Sequence, residues 1–141
     1  MPLEVRILHG GMGRLWVWTG VITGKELIAN NEHILATKRY EGVRWLIVDE
    51  TAITAMDVSP EEIRAIKRLD DHLAAVLPEL VTAVIVPTNF AFGMARMWEI
   101  LTERPGWSVR VFRDMAEAER WLREEVRRKF SLELPESLNT P

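Results

Sequence analysis

Hydrophobic and polar residues alternate at the start of the chain. In residues 3–8, Leu3, Val5 and Ile7 fall on one side of an extended backbone, which is the pattern of a half-buried strand. A glycine-rich stretch and a second apolar run follow, so we predict a turn and an antiparallel second strand. Three further apolar runs predict additional strands. The five predicted strands are residues 3–8, 14–22, 43–50, 82–88 and 108–114.

Four other segments have apolar residues three and four positions apart, the spacing of an amphipathic helix. The pattern is clearest from Ile63 to Leu77, and Pro78 marks its end. Three of the segments follow a residue that favours the N-cap position and have a glutamate three positions later, which is typical of a capping box. These pairs are Thr23 with Glu26, Ser59 with Glu62, and Asp114 with Glu117. The predicted helices are residues 24–41, 60–77, 89–103 and 115–130.

The predicted order of elements is therefore β-β-α-β-α-β-α-β-α. Short links between alternating strands and helices require right-handed crossovers and a mainly parallel sheet. The predicted fold class is α/β, with a mainly parallel, mixed five-stranded sheet and four helices in one domain, residues 1–130. Residues 51–58 are predicted as a looser connection. Residues 131–141 are polar and contain prolines, so we expect a loose C-terminal tail.

Composition excludes several classes of protein. With 48% apolar and 28% charged residues, the chain of 141 residues has the balance of one globular domain. Its net charge of −3 argues against a nucleic-acid partner and against binding to an anionic membrane. The longest apolar run, residues 81–86, is too short for membrane insertion, and the first residues do not resemble a signal peptide. We therefore expect a cytoplasmic protein.

The residues that usually carry catalysis are sparse. The chain has no cysteine and its three histidines lie far apart, so neither a metal site nor another cofactor is expected. The glycines of residues 10–13 precede a strand rather than a helix, which does not suit a phosphate-binding loop. An enzyme could use Asp49, Asp57 and Asn89, but neither a base nor a metal set accompanies them. We expect a protein that is not an enzyme.

Ser59 is the residue with the clearest candidate role. As structure alone, it is an N-cap, with Pro60 at the first helical position and Glu62 closing the capping box. The same geometry also suits a phosphate, because a helix N-terminus has free N–H groups and the positive end of the helix dipole. Phosphorylation would place about two negative charges beside Asp57, Glu61 and Glu62, and could expel a docked partner. Both roles remain open for Ser59.

Aromatic and methionine side chains supply the remaining candidates. Phe92 falls opposite the apolar stripe of its helix, so it either marks a partner surface or packs under a neighbouring loop. Trp18, Met94 and Met97 are candidates for contact with an apolar ligand if the core contains a cavity.

Three stretches together resemble the STAS superfamily (sulfate transporter and anti-sigma-factor antagonist domains), in particular its SpoIIAA-like branch. They are WTGVITGKEL, VRWLIVDETAITAMDVS and VRVFRDMAEAERWL, the last being similar to the F-x-D…E-A…W-L ending of that branch. The resemblance covers about residues 3–127. It implies a STAS-like fold and a regulatory domain that acts by binding another protein, with a homodimer as a further expectation.

The resemblance also bears on individual residues. Anti-sigma-factor antagonists begin their second helix with Asp-Ser-Ser-Gly, and a partner kinase phosphorylates the second serine. The matching residues here run from Asp57 to Pro60, which places Ser59 on the phosphoacceptor, with valine in place of the first serine and proline in place of the glycine. The branch shares its fold with CRAL-TRIO lipid-binding domains, which implies the alternative of a carrier for a lipid or another small apolar ligand. The implied partner surface is residues 50–66, including Asp57, Ser59, Glu61 and Glu62, together with Phe92.

Overall fold

The computed structural model of this chain describes residues 2–141. These residues form five strands and four helices in the predicted order, so the predicted α/β class is confirmed. The strands are β1 (Leu3–Leu8), β2 (Gly13–Thr23), β3 (Trp45–Asp57), β4 (Leu80–Ile85) and β5 (Trp107–Phe112). The helices are α1 (Gly24–Thr37), α2 (Pro60–Val76), α3 (Asn89–Leu101) and α4 (Met115–Phe130). None of the helices in residues 2–141 is both long and apolar enough to cross a membrane.

The five strands form one mixed sheet and lie in it in the same order as in the chain. β1 is antiparallel to β2, whereas β2, β3, β4 and β5 are parallel to one another. Each parallel connection therefore moves one strand further in the same direction. Because such crossovers are right-handed, α1, α2 and α3 share one face of the sheet, and α4, after the last strand, covers the other.

Each face of the sheet has its own hydrophobic core. Trp45 and Leu122 are fully buried in the core beneath α4, while Trp18 and Ile22 are buried in the core beneath α1–α3. All six residues of β4 are buried, because successive side chains point to opposite faces and both faces are covered. The sheet is therefore the middle layer of a three-layer domain.

Strand β3 is longer than the sequence predicts. The predicted looser connection at residues 51–58 is wrong for most of its length, since the strand continues to Asp57. It continues because β2 is also long, and residues 19–23 pair with residues 52–57 across two irregularities in register. β4 pairs with β3 only as far as Asp49. The far half of β3 is therefore held by β2, and its other edge has no strand beside it in the described part of the chain.

Residues 131–141 follow α4 without a regular helix or strand. Two of their side chains, Leu134 and Leu138, are nevertheless buried in the core beneath α4. The N–H of His9 donates to the carbonyl oxygen of Thr140 at 2.9 Å, and the Arg123 guanidinium donates to the carbonyl oxygen of Glu136 at 2.8 Å. The segment expected to be loose thus folds back on the domain, because its leucines complete a core that α4 alone leaves partly open.

Candidate functional site

The first turn of α2 begins at Ser59 with a complete capping box. The Ser59 hydroxyl oxygen accepts the N–H of Glu62 at 3.1 Å, and the N–H of Ser59 donates to the Glu62 carboxylate at 2.9 Å. The predicted structural role of Ser59 is therefore confirmed. The side chain is also exposed, whereas the adjacent Val58 is buried and anchors the turn in the core. Capping thus leaves the serine at the surface.

Acidic residues surround Ser59. Asp57 and Glu61 are exposed, and no ion pair within residues 2–141 involves either carboxylate. The half-buried Glu62 carboxylate lies where a side chain on Gly24 would otherwise be, so it also packs the start of α2 against the start of α1. Four of the predicted partner-binding residues, Asp57, Ser59, Glu61 and Glu62, therefore lie together as one acidic surface, which we call the α2 entrance.

Replacing Ser59 by alanine is expected to lower the free energy of unfolding by about 1 kcal/mol, because the N–H of Glu62 loses its acceptor. Ser59→Asp should change it much less, since aspartate caps helices about as well as serine. Urea unfolding of the two variants and the wild-type protein measures the difference. Equal stability of Ser59→Ala and the wild type would contradict the capping role.

Phe92 lies in a different environment from the α2 entrance. Its half-buried ring is stacked under the Arg113 guanidinium, 4.6 Å from the ring centroid, in a shallow depression between β5 and α4. Arg110 and Arg120 also line this depression, together with Glu117. Phe92 therefore lies among arginine side chains, and its place in one partner surface with Ser59 stays a prediction.

A cavity of about 120 Å³ lies between the sheet and helices α1–α3. Its wall is almost entirely apolar and includes Trp16 and Trp18 from β2 and Met94 from α3. Of the three residues predicted to contact an apolar ligand, Trp18 and Met94 thus reach the cavity, whereas Met97 packs in the surrounding core without lining it. The domain contains an internal space at the place where such a ligand would have to lie.

Two acidic side chains line this apolar cavity. Glu50 of β3 is only 5% exposed, and its Oε1 atom has no hydrogen-bond partner among the described residues. Burial, and to a smaller extent the adjacent Asp49 carboxylate, raise the pKa of Glu50 from 4.5 to about 8. Glu50 is therefore mainly uncharged at neutral pH.

The second acid, Asp70 of α2, is equally buried but has hydrogen-bond partners. One carboxylate oxygen accepts the indole N–H of Trp98 at 2.6 Å, and the other accepts the side-chain amide of Asn31 at 3.3 Å. Burial raises the pKa of Asp70 from 3.8 to about 7, although the bond from Trp98 and the charge of Arg104 oppose the rise. Asp70 links α1, α2 and α3 around the cavity.

A wider cleft of about 400 Å³ adjoins the cavity below the C-terminal half of α1. The two spaces share five lining residues, which are Trp16, Asn30, Leu46, Leu73 and Leu80. The outer part of the cleft is lined by the exposed residues Val5 and Ile7 of β1 and by Arg14, Lys38 and Arg39. The cleft thus lies between the cavity and the surface at the β1 edge of the sheet.

The sequence contained a signal for both acids. Leu46, Val48 and Glu50 alternate along β3 and point toward α1–α3, so Glu50 interrupts an inward-facing apolar row. Asp70 lies seven residues after Ile63, on the apolar stripe of α2. The predicted strand stops at Glu50, so the sequence alone does not indicate that this side chain points into the core. Asp49, Asp57 and Asn89, considered above for catalysis, do not line the cavity.

Comparisons with known proteins identify the fold. No protein-family model matches the chain, and no curated protein matches it either. Its structure is similar to that of the anti-sigma factor antagonist SpoIIAA in its unphosphorylated form, with a TM-score of 0.51 and 13% sequence identity over 89% of this chain and 97% of SpoIIAA. The chain therefore has the SpoIIAA-like, STAS-like fold that the sequence resemblance implied.

A second solved structure is an uncharacterized protein of the DUF3478 family with a SpoIIAA-like fold, from Shewanella loihica PV-4. The TM-score is 0.47 and the sequence identity 16%, over 85% of this chain and 91% of that protein.

Proposed function

We propose that this chain is a non-enzymatic regulatory domain of the cytoplasm that binds another protein through the α2 entrance. The observation that carries the proposal is the position of Ser59, an exposed serine between the end of a strand and the start of a helix. The fold supports it, because SpoIIAA, described as an anti-sigma factor antagonist, has the same fold and an unphosphorylated form.

The surface next to Ser59 has features that a docking partner can use. Within residues 2–141, residues 51–57 of β3 have no strand beside one edge, so backbone N–H and C=O groups there are available for pairing with a partner segment. The carboxylates of Asp57 and Glu61 would favour a partner with basic side chains. A second copy of this chain could also pair along the free edge, which is how we interpret the expected homodimer.

A phosphate on Ser59 would act as a switch. The free N–H groups of the first turn of α2 favour an anion there, but the carboxylates of Asp57, Glu61 and Glu62 repel it. Once a partner covers the surface, the dianion also loses its hydration. Phosphorylation is therefore expected to release a partner that docks closely against the unmodified serine.

We expect Ser59→Asp to lower partner capture by about tenfold or more, because it adds a negative charge in the docking surface while keeping the helix cap. Ser59→Ala should capture as the wild type does, and Ser137→Asp, at an exposed serine of the C-terminal segment, is the matched charge control. Quantitative pull-down from a lysate of the source organism, with the purified chain immobilised, measures all four proteins.

Two results would contradict the proposal. One is a wild-type protein that captures nothing above the resin background, with a purified chain that also sediments as a monomer. The other is a partner that all four proteins capture equally, since such a partner docks elsewhere.

A further inference from the structure

Glu50 occupies a position where the fold otherwise places apolar side chains. Along β3 the other residues facing α1–α3 include Leu46, Val48 and Ile53. A buried oxygen without a hydrogen-bond partner is unfavourable, so a glutamate here makes the folded state less stable than an apolar residue would. No contact within the described residues compensates for this cost at Oε1.

Asp70 shows that the same core can satisfy a buried acid. Its two oxygens accept hydrogen bonds from Trp98 and Asn31. Glu50 lines the same cavity, is equally buried, and lacks any such donor at Oε1. The contrast indicates that Oε1 of Glu50 is available for a hydrogen bond with a group that the protein chain does not supply.

The cavity has the size and lining of a site for a small organic molecule. At about 120 Å³ it is comparable to an engineered apolar cavity of roughly 150 Å³ that binds benzene. Trp16, Trp18 and Met94 offer aromatic and thioether surfaces to an apolar body. The adjoining cleft lies on the side of α1 and shares five lining residues with the cavity, so a ligand would enter most directly from this cleft.

We propose that this cavity binds a compact apolar molecule, about the size of one aromatic ring, through a hydrogen bond from an amine or hydroxyl group of the ligand to Glu50. The apolar body lies against Trp16, Trp18 and Met94, and the donor satisfies the carboxyl oxygen that the fold leaves open. A charged amine would also favour ionisation of Glu50, and the resulting carboxylate could balance the charge of the ligand. None of the four residues of the α2 entrance lines the cavity, although the adjacent Met56 and Ile63 do, and the proposal does not depend on the function proposed for that surface.

Binding of three probes of similar size tests the proposal. Toluene has no donor, benzyl alcohol has a neutral donor, and benzylamine has a charged donor. The wild-type protein should prefer the two donor probes over toluene, measured as a ratio of dissociation constants. In Glu50→Leu we expect this ratio to fall about tenfold or more, the equivalent of one net hydrogen bond. Chemical shifts of the indole N–H groups report binding, with protein refolded from guanidinium so that any co-purifying molecule is removed.

Two further variants make the result specific. Glu50→Gln keeps an acceptor oxygen without the ability to ionise, so it should retain benzyl alcohol binding and lose affinity for benzylamine if a charged pair forms. Asp49→Asn changes the neighbouring carboxyl, whose side chain points to the other face of the strand, and should bind the two uncharged probes as the wild type does. Circular dichroism establishes that each variant is folded.

Two outcomes would overturn the proposal. If the wild-type protein binds none of the probes at millimolar concentration, the cavity holds only water or closes in solution. If Glu50→Leu is folded and keeps the wild-type preference for donor probes, Glu50 does not select the ligand.

Discussion

The free energy of unfolding is expected to decrease as the pH rises from about 5 to about 8. Burial raises the pKa of Glu50 from 4.5 to about 8 and that of Asp70 from 3.8 to about 7. Well below pH 3.8 both carboxyls bind a proton in the folded and the unfolded chain. Above that pH the unfolded chain releases these protons first, so folding becomes progressively less favourable until the folded carboxyls also ionise.

The size of the effect follows from the protons involved. Each carboxyl lowers stability by about 1.4 kcal/mol per pH unit while it is protonated only in the folded state. The window is 4.5 to about 8 for Glu50 and 3.8 to about 7 for Asp70, so the two slopes add between about pH 5 and 7. The Asp71 carboxylate acts in the opposite direction, because its hydrogen bond from Lys67 lowers its pKa, but its window lies at more acidic pH.

Urea unfolding at about pH 5, 6, 7 and 8 measures this dependence, with the slope against denaturant checked for constancy. Glu50→Gln should remove the part of the pH dependence of stability that extends to about pH 8. Asp70→Asn should remove the part that ends near pH 7. The double variant should be nearly independent of pH in this range. A wild-type midpoint that stays constant or rises between pH 5 and 8 would mean that both acids are ionised in the folded protein.

The second large effect is expected at Trp45. This residue is fully buried beneath α4, and its ring lies so close to Gly13 that no side chain could be placed there. Its indole N–H also donates to Nδ1 of His9 at 3.2 Å. Trp45→Ala should lower the free energy of unfolding by about 3–5 kcal/mol, since it removes a large buried ring and leaves a cavity. That is a large fraction of the total stability of a typical domain.

Trp121→Ala is the matched control, because this tryptophan packs on the same core from α4 but is only half-buried. In urea unfolding, Trp121→Ala should lower the free energy of unfolding clearly less than Trp45→Ala does. If Trp45→Ala does not fold, Trp45→Phe gives the same comparison. It keeps most of the apolar volume and therefore lowers the free energy of unfolding by less. Equal losses at Trp45 and Trp121 would contradict the central position of Trp45.

The sequence was informative wherever a local pattern decides the structure. The extended backbone of β1, the apolar stripe of α2 and the capping box at Ser59 are each specified by residues within a few positions of one another. The half-buried face predicted for β1 is wrong, however, because Val5 and Ile7 are exposed. Short-range hydrogen bonds and helical or extended periodicity are properties of such neighbours. For this reason the order of elements, the α/β class and the cap at Ser59 could all be predicted.

Part of the candidate site could not be predicted, because distant residues decide it. The extension of β3 to Asp57 depends on residues 19–23 of β2, and the packing of Leu134 and Leu138 depends on a gap left beneath α4. The stacking of Arg113 on the ring of Phe92 likewise joins two residues that are remote in the chain.

By itself, then, the sequence determined which segments are strands and helices, in what order they follow, and that Ser59 starts α2. Only the tertiary structure decided that Glu50 and Asp70 face one apolar cavity, and that one has hydrogen-bond donors whereas the other does not. The physical reason is that burial and hydrogen bonding of a side chain are set by the residues that packing brings around it. For these acids those residues come from β2, α1 and α3, which are remote in the chain.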